Sequence, residues 1–370
     1  MKILVDYRPA LRERTGVGEY VHRLVQAYCA AYPGETTVFT SSWKDRPDTA
    51  LAATLGAQVV DRRVPVGLLN LLWHRAGWPP IEALAGEADV VHAPHPLLIP
   101  ARRAAQVITI HDLFFLTHRD STRAEIRRDY ADLARAHARR AHAIVTSTEH
   151  GRDIVHTELS VPLDRIYVCP PGAPAWTPRA PASAAPGGYI LFVGTLEPRK
   201  NVGALLDAYE LLIGRRRPVP ELLLAGRATP AADAWLQRLQ RSPLAGHARH
   251  LGYVADDQRE RLYAGARAVV MPSLDEGFGF PALEAMSAGV PVIAANRGAL
   301  PEVVGDAGWL VDPTDPEALA AAIDAVATDE AAAARAASAG LTRAATFTWT
   351  RAAATLHRAY ADAIARRAAG

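Results

Sequence analysis

The chain has 370 residues, of which 49% are hydrophobic and 22% are charged, and its formal net charge is +2. A chain of this length exceeds what one hydrophobic core usually organises, so two globular domains are expected. The small net charge gives no support to a nucleic-acid partner, and we expect none. No uncharged apolar run reaches the roughly 18 residues that a membrane-spanning helix needs.

The N-terminal stretch MKILVDY enters a strand-like run at once, without the features of a secretion signal. A cytoplasmic protein is therefore predicted. Cys29 and Cys169 are far apart and outside any Cys-x-x-Cys pair, so we expect two core thiols and no metal or redox motif. Only three of the 41 basic residues are lysines, namely Lys2, Lys44 and Lys200, which makes a lysine in a loop worth attention.

Short β-branched runs alternate along the chain with longer Ala/Leu/Arg segments of helical period, the pattern of βαβ units and parallel sheets. The first predicted strands are ILVDY, TTVFT, DVVHA, QVITIHD, AIVTS and RIYVC. A Pro/Ala/Gly-rich stretch, residues 170–188, follows them and reads as a linker. The second series is YILFVGT, ELLLAG, HARHLGY, ARAVVMPS, VPVIAAN and GWLVD, followed by an Ala-rich helical tail.

This order predicts an α/β protein made of two doubly wound, Rossmann-like domains. We place the N-terminal domain at residues 1–172, a linker at 173–188 and the C-terminal domain at 189–345. Residues 346–370 are predicted to form a helix that packs back toward the N-terminal domain. Because open α/β sheets bind ligands beyond the carboxyl ends of their strands, the loops that follow strands are the candidate sites.

Two such loops lie in the first half of the chain. TGVGEY contains Gly16 and Gly18, which resemble half of a dinucleotide fingerprint, but Val21 occupies the third glycine position. Taken alone, these glycines are better explained by an ordinary tight turn. In TIHDL, His111 either hydrogen-bonds a substrate or is simply packed. His92 and His95 lack the frame and the third ligand of a metal site.

The loop VGTLEPRKN lies in the second half, where Asn201 is predicted to cap the next helix. Arg199 and Lys200 then stand at a helix N-terminus, where the dipole disfavours cations unless an anion bridges them. A phosphate is the partner that we favour over a solvated surface pair.

The segment SLDEGFGFPALEAMSAG places Pro281 at the start of a helix and Gly289 at its end. Glu284 is then expected in the first turn, with Glu276 at the mouth of the loop. The alternative is one capping and one solvated carboxylate. The flanking glycines and the position after a strand favour a polar ligand instead.

Together these loops resemble glycosyltransferase family 4, the retaining nucleotide-sugar enzymes of GT-B fold. The most specific match is E-x7-E, since 284 minus 276 is 8, and it is supported by VGTLEPRKN, LGYV and SAGVPVIA. The resemblance covers almost the whole chain. It implies two Rossmann-like domains facing a central cleft, an N-terminal acceptor domain and a C-terminal donor domain.

The resemblance also implies roles for individual residues. Glu284 would hold the donor ribose, while Lys200 would neutralise the diphosphate and His111 would touch the sugar near the reacting carbon. Lys200, Glu276 and His111 are thus the catalytic candidates. The donor-binding candidates are Gly16, Gly18, Thr195, Arg199, Lys200, Val254, Glu276, Gly277, Phe278, Gly279 and Glu284. One departure is Thr195 after Gly194, where many relatives carry an arginine, so Arg199 would supply the second cation.

No cofactor and no metal are expected, because Asp-x-Asp is absent and fixed cations can stabilise the leaving diphosphate. The likeness is greatest to bacterial mannosyl- and rhamnosyltransferases of surface polysaccharide assembly, which favours GDP-mannose as donor. dTDP-rhamnose, UDP-glucose and UDP-GlcNAc remain alternatives. So do a nucleotide-sugar epimerase, an NAD-dependent oxidoreductase and a non-catalytic sugar-binding protein.

The acceptor would be a saccharide or a polyprenyl-linked saccharide. Residues 119–142 predict an arginine-rich helix, and Leu68, Leu69, Leu72, Trp73 and Trp78 offer an apolar patch. Such a pair can rest on an anionic membrane at the inner face of the plasma membrane. Ordinary core leucines and a solvated arginine face are the alternative.

Overall fold

A computed structural model describes residues 1–11, 16–117, 130–179, 188–215 and 218–370. The chain divides into two compact units. Unit 1 comprises Met1–Gly172 and Thr348–Gly370, and unit 2 comprises Ala173–Phe347. Each unit is an α/β structure around its own parallel sheet.

Among the described residues of unit 1, seven strands pair in parallel in the order β3-β2-β1-β4-β5-β6-β7. They are β1 (Ile3–Asp6), β2 (Thr36–Thr40), β3 (Gln58–Asp61), β4 (Val90–Ala93), β5 (Ala105–Thr109), β6 (Ala143–Thr146) and β7 (Ile166–Val168). Residues of β1, β4 and β6 are buried throughout, as expected for strands covered on both faces. The six strands predicted in this half are all present.

Strand β3 was missing from the sequence prediction. Its sequence is QVVD, with only two apolar residues, and none of its four residues is buried. Among the described strands it lies at the edge of the sheet and pairs only with β2. A short, half-exposed edge strand lacks the continuous apolar run that identified the others.

Unit 2 contains a second parallel sheet, whose described strands lie in the order β10-β9-β8-β11-β12-β13. They are β8 (Tyr189–Val193), β9 (Leu222–Ala225), β10 (Ala248–Gly252), β11 (Ala266–Met271), β12 (Val292–Ala295) and β13 (Trp309–Val311). All six correspond to predicted strands. Strand order reverses between β8 and β11, and in unit 1 it reverses between β1 and β4.

The helices connect the strands and cover the sheets. Those of the first part of unit 1 are α1 (Val17–Ala31), α2 (Leu51–Leu55), α3 (Val66–Leu71), α4 (Ile81–Ala85), α5 (Phe114–Thr117), α6 (Tyr130–Arg140) and α7 (Glu149–Leu159). Those of unit 2 are α8 (Val202–Gly214), α9 (Asp233–Leu239), α10 (Asp256–Ala264), α11 (Phe280–Ser287), α12 (Leu300–Val304), α13 (Pro316–Thr328) and α14 (Glu330–Ala344). No described helix is both long and apolar enough to cross a membrane.

The last helix, α15 (Trp349–Ala369), belongs to unit 1 although it follows unit 2 in the chain. Thr348 caps its N-terminus by accepting a hydrogen bond from the Arg351 amide. The helix packs on α1 and on strands β4 to β7, and Tyr360 is completely buried there. Cys169, buried and unbridged like Cys29, lies under the same helix.

Candidate active site

The predicted loop after β8 is held against the end of β9 by backbone contact. Gly194 donates a hydrogen bond to the Ala225 carbonyl, and Leu196 donates one to the Arg227 carbonyl. Gly226 has a φ of +144°, and a Cβ atom there would lie 1.9 Å from the Gly194 oxygen. Only glycine fits at this position. The loop that carries Lys200 therefore follows a fixed path from the sheet.

Lys200 and Arg199 meet Glu276 at the carboxyl ends of the neighbouring strands β8 and β11, where strand order reverses. Lys200 Nζ lies 2.5 Å from Glu276 Oε1, and an Arg199 guanidinium nitrogen lies 3.2 Å from Glu276 Oε2. The Ser273 hydroxyl donates a further hydrogen bond to Glu276 Oε1 over 2.7 Å. The two cations are mostly buried, and Glu276 is 6% exposed.

The charge state of Glu276 follows from these contacts. Burial alone would raise the pKa of its carboxyl, but the Lys200 and Arg199 charges outweigh burial and hold that pKa below its usual value. Glu276 is therefore an ionised carboxylate at neutral pH. A buried anion with two cations beside it is a preorganised electrostatic site.

The predicted capping role of Asn201 is wrong. Asn201 occupies the N-cap position of α8 with a left-handed backbone, but its side chain makes no cap hydrogen bond. Instead its amide donates to the carbonyls of Pro272 and Pro313. This amide ties the β8 loop to the segment that leads into Glu276.

Glu284 lies on α11, which begins after Gly279. Gly279 has a φ of +105°, and a Cβ there would lie 2.6 Å from the Leu300 side chain, so the bend requires glycine. The helix begins at Phe280, with Pro281 in its first turn and Gly289 just past its end. Glu284 is consequently in the second turn and not in the first turn as predicted.

Both carboxylate oxygens of Glu284 have partners from α10. Tyr263 donates its hydroxyl hydrogen to Oε2 over 2.6 Å, and Arg259 forms an ion pair with Oε1. Arg259 also lies over the ring of Trp176, with 6.0 Å between its guanidinium carbon and the ring centroid. Glu284 is 7% exposed. Neither glutamate is the solvated carboxylate of the alternative interpretation.

The remaining donor candidates of unit 2 border this cluster in sequence. Thr195 is exposed, Val254 and Gly277 are half-buried, and Gly279 is buried. Phe278 is also buried, with its ring packed on Phe280 and Phe347. Because the ring of Phe278 belongs to the core, only its backbone is available to a ligand.

In unit 1, Gly16 and Gly18 lie at the start of α1. Gly16 is the N-cap residue with a φ of +50°, and a Cβ at Gly18 would lie 2.9 Å from the Pro9 carbonyl oxygen. Tyr20, one residue beyond Glu19, packs edge-on against His111 with 5.2 Å between ring centroids. The structure thus brings the N-terminus of α1 to His111.

His111 is held neutral. Burial lowers the pKa of its imidazole to about 4, and the partly compensating effects of Asp112 and the Pro94 backbone are smaller. Its Nε2 atom is buried and has no hydrogen-bond partner among the described residues. A buried polar atom without a partner is costly unless a ligand supplies one.

His92 and His95 do not form a metal pair. His92 bonds the hydroxyls of Tyr360 and Thr109 at 2.7 and 2.8 Å, and His95 Nε2 lies 3.3 Å from Asp6. Among the described residues, no group of three or more His, Cys, Asp or Glu side chains is arranged to hold a metal ion.

A cavity of about 400 Å³, lined by both polar and apolar side chains, opens beyond β1, β2 and β4 in unit 1. Its polar lining includes Asp6, Arg8, Asn70, His74 and His95. The Arg8 guanidinium donates hydrogen bonds to both carboxylate oxygens of Asp6 over 2.8 and 2.7 Å, and to the Asn70 side-chain oxygen over 2.9 Å. Strand order reverses between β1 and β4, so the cavity occupies the usual ligand position of an open α/β sheet.

Comparison with known proteins identifies the family. Residues 187–329 match the family model described as Glycosyl transferases group 1, and residues 14–175 match Glycosyltransferase Family 4. The O-antigen chain mannosyltransferase B of Escherichia coli is 32% identical over 371 residues, covering 94% of this chain and 96% of that protein. The chain belongs to glycosyltransferase family 4.

The fold of this glycosyltransferase has relatives among solved structures. Sucrose-phosphate synthase from Thermosynechococcus elongatus superposes with a TM-score of 0.78 at 20% identity, over 98% of both chains. HepE from Anabaena, solved in complex with UDP-glucose, gives a TM-score of 0.71 at 20% identity over 97% of this chain and 99% of that one. The predicted two-domain GT-B fold is thereby confirmed.

Three polar residues that contact the two glutamates of the candidate site were absent from the sequence-based candidates: Ser273, Arg259 and Tyr263. Ser273 was visible only as part of a motif, and nothing in DDQRERLYA distinguishes Arg259 from its neighbours. Their partners, Glu276 and Glu284, lie on other elements. Sequence spacing alone does not reveal such tertiary contacts.

Proposed function

We propose that this glycosyltransferase moves mannose from GDP-mannose to a saccharide or polyprenyl-linked acceptor during cell-surface polysaccharide synthesis. It would act in the cytoplasm, at or near the inner face of the plasma membrane. The observation that carries the proposal is the Lys200–Glu276–Arg199 cluster at the strand-order reversal of unit 2. The named activity of the E. coli relative, an O-antigen chain mannosyltransferase, supports mannose as the sugar.

The donor diphosphate would lie against Lys200, with Arg199 as the second cation. Breaking the bond between the sugar's anomeric carbon and the phosphate oxygen places negative charge on the diphosphate, and fixed cations stabilise that charge. Glu276, released from Lys200, would accept hydrogen bonds from the sugar hydroxyls. Glu284 would accept them from the ribose, in exchange for its contacts with Arg259 and Tyr263.

In unit 1, His111 Nε2, which has no hydrogen-bond partner among the described residues, would accept a hydrogen bond from the sugar. Backbone N–H groups at Gly16 and Gly18 would contribute to binding the diphosphate. The acceptor hydroxyl would attack from the face that the diphosphate leaves, forming the new glycosidic bond while its proton passes to the departing phosphate oxygen. Configuration is then retained, and no metal takes part.

The cavity beside Asp6 supports a saccharide acceptor. Its lining combines hydrogen-bonding side chains with the apolar residues Pro9, Leu11, Val66 and Leu97. Sugars present both hydroxyls and apolar C–H faces, so a pocket with a few polar groups on an apolar wall suits them.

A donor screen tests the proposal. GDP-mannose, dTDP-rhamnose, UDP-glucose and UDP-GlcNAc are each incubated with mannose-terminated acceptors, with and without EDTA, and released nucleoside diphosphate is measured. We expect acceptor-dependent release from GDP-mannose, unaffected by EDTA, and an α-linked product by NMR. Preference for another donor, a β-linked product or loss of activity with EDTA would contradict the corresponding part of the proposal.

The same assay tests the cation cluster. Lys200→Ala is expected to lose about 10²-fold or more in turnover, because one preorganised charge partner is removed. Lys2→Ala, at an exposed lysine, is the matched control and should behave as wild type. Release of nucleotide without acceptor, or absorbance changes with nicotinamide cofactors, would instead favour the epimerase or oxidoreductase alternatives.

A further inference from the structure

A second cavity of unit 1, which we call the arginine pocket, lies at the edge of the sheet where the strands begin. Its charged and polar lining residues are Arg140, His142, Arg165 and Arg366, and Ala141, Ala369 and Gly370 complete the wall. Arg140 ends α6, while His142 and Arg165 immediately precede β6 and β7. The volume of about 350 Å³ falls within the range of roughly 300–1,000 Å³ that small-molecule sites occupy. The pocket is therefore large enough for a ligand, and it lies at the opposite edge of the sheet from the loops that follow strands.

Arg366 of α15 is held in the arginine pocket mainly by neutral acceptors. Its guanidinium donates to the His142 carbonyl over 3.3 Å and to the Tyr167 hydroxyl over 3.1 Å, and it also bonds the Asp164 carbonyl. The Asp164 carboxylate lies 3.5 Å away, but its side chain is 72% exposed, so water screens this ion pair. Arg366 thus has a fixed position, and most of its charge remains available to a further anion.

Two further arginines add their charges to the arginine pocket. Arg165 donates to the Arg139 carbonyl over 3.5 Å, again a neutral acceptor, and Arg140 is exposed. Among the described residues that line the pocket, none carries a carboxylate side chain. Like charges held close together repel one another, and a bound anion removes that repulsion.

His142 supplies a neutral hydrogen-bond donor to the arginine pocket. Its Nδ1 atom accepts a hydrogen bond from the Gln106 backbone N–H over 3.1 Å, so the hydrogen of the neutral ring is on Nε2. Burial and the charges of Arg367, Arg165 and Arg366 lower the pKa of this imidazole. The ring is therefore neutral at physiological pH, and its pKa responds to any change of charge in the pocket.

We propose that the arginine pocket binds the phosphate groups of a small soluble anion, and that a diphosphate fits it best. Arginine suits phosphate because its planar guanidinium donates two parallel hydrogen bonds to phosphate oxygens. Three guanidinium groups match a diphosphate better than a monophosphate, which carries at most about two negative charges at neutral pH. His142, Arg165 and Arg366 are half-buried, so the ligand has to enter the cavity. A free anion can do this more readily than the phosphate of a lipid head group.

Arg140 belongs to the arginine-rich segment 119–142 that the sequence suggested as a membrane-binding helix. Of the other arginines considered there, Arg127 and Arg128 lie outside the described residues. Arg135 pairs with Asp132 at 3.3 Å, and Arg139 donates to the Leu159 carbonyl. The apolar patch predicted with this helix divides, since Leu69 and Trp73 are core residues and Leu68 and Trp78 are exposed.

A diphosphate in the arginine pocket would join α15 to the rest of unit 1. Arg366 would hold it from α15, Arg140 from the end of α6, and His142 and Arg165 from the starts of β6 and β7. A ligand that binds only the folded form stabilises that form, so the anion would strengthen the attachment of the last helix. None of these residues is a donor or catalytic candidate. The inference therefore stands or fails independently of the proposed function.

Proton NMR of the full-length protein tests the inference, with pyrophosphate and inorganic phosphate as probes at constant ionic strength. The pKa of His142 is measured from its ring proton, which is assigned by comparison with His142→Gln. We expect pyrophosphate to raise this pKa in a saturable manner, because a bound anion offsets the arginine charges, and we expect phosphate to bind more weakly. A pocket variant, Arg140→Gln with Arg165→Gln, should lose about tenfold or more in affinity for pyrophosphate.

The control carries Arg241→Gln and Arg335→Gln, which remove the same charge from exposed positions of unit 2, and it should bind pyrophosphate as wild type does. Circular dichroism checks that every variant is folded. An unchanged pKa of His142 at millimolar pyrophosphate, or equal affinity of the wild type and the pocket variant, would overturn the inference. So would sedimentation with phosphatidylglycerol vesicles that requires the pocket arginines and that pyrophosphate does not displace, because a lipid head group would then be the ligand.

Discussion

At the residue scale, the two glutamates of E-x7-E are distinguished by their partners. Glu276 is held by Lys200 and Arg199, which would face the leaving group, whereas Glu284 is held by Arg259 and Tyr263. Only interactions that strengthen in the transition state accelerate the chemical step. The two carboxylates should therefore affect catalysis and nucleotide binding differently.

Glu276→Gln is expected to lower kcat by about 10²-fold, because the donor sugar loses the carboxylate that would accept hydrogen bonds from its hydroxyls. GDP should still bind, since Lys200 and Arg199 keep their charges and lose the anion that competes with a diphosphate. Glu284→Gln should mainly weaken the binding of GDP, since ribose contacts exist in the ground and transition states alike. Calorimetry with GDP and steady-state kinetics measure both effects. A larger affinity loss in Glu276→Gln than in Glu284→Gln would show that the roles are reversed.

The sequence was sufficient to find the two glutamates and the two cations, but not their pairing or the partners Ser273, Arg259 and Tyr263. Lys200, Glu276 and Glu284 stood out because they follow strands or lie in glycine-flanked loops, and such positions converge at one edge of a parallel sheet. That Glu276 bridges both cations depends on β8 and β11 being neighbours. Strand order is set by tertiary packing and cannot be predicted from the local hydrophobic periodicity of the sequence.

At the scale of elements, α15 is tied to the sheet of unit 1 by polar as well as apolar contacts. The Tyr360 hydroxyl lies 2.7 Å from His92 Nδ1 within the core, and Tyr167 donates to Asp362 over 2.6 Å. Burial lowers the pKa of His92 to about 3, so its ring is neutral. Because His92 Nε2 already bonds Thr109, the buried Nδ1 atom depends on the Tyr360 hydroxyl for its hydrogen bond.

Tyr360→Phe is expected to reduce the free energy of unfolding by about 1–3 kcal/mol, because it leaves His92 Nδ1 buried without a partner. Tyr253→Phe, at an exposed tyrosine, is the control. Chemical denaturation followed by circular dichroism measures both. Equal stability of Tyr360→Phe and wild type would show that the hydrogen bond contributes nothing to folding.

The prediction of elements succeeded where runs were long and apolar. Fully buried strands such as β1, β4 and β6 read directly as strands, whereas β3 escaped detection. Glu284 was predicted in the first turn because the helix start was placed at Pro281, one residue after the observed start at Phe280. That start depends on the left-handed Gly279 and the Leu300 side chain beside it. A helix boundary that depends on such tertiary contacts cannot be predicted from the sequence pattern alone.

At the scale of the whole molecule, the two units should respond differently to mild acid. Burial lowers the pKa values of His74, His111 and His137 to about 4 and that of His92 to about 3, and all four lie in unit 1. The unfolded chain takes up these protons near pH 6.5, but the folded unit does not. The stability that neutral histidines contribute is full above pH 6.5 and falls as the pH drops toward about 4.

Glu276 of unit 2 has a lowered pKa, so the stability it contributes is present above its ordinary value of 4.5 and is lost only below that pH. As the pH falls from 6.5 to 4.5, we therefore expect unit 1 to lose protection against amide hydrogen exchange before unit 2 does. Hydrogen exchange with peptide resolution at pH 7 and pH 5, corrected for intrinsic rates, measures this. Equal loss in both units, or no loss in unit 1, would contradict the prediction.

Because unit 1 is formed from two separate parts of the chain, its folding during synthesis is delayed. Unit 2 spans 347 − 173 + 1 = 175 consecutive residues, which separate the sheet of unit 1 from helix α15. At ribosomal rates of about 5–20 residues per second, translating them takes roughly 10–35 s. Throughout that interval the face of β4 to β7 that α15 covers is open, and a nascent chain in this state is a natural client for a chaperone. Unit 2 begins second, yet it can be the first of the two to be completed.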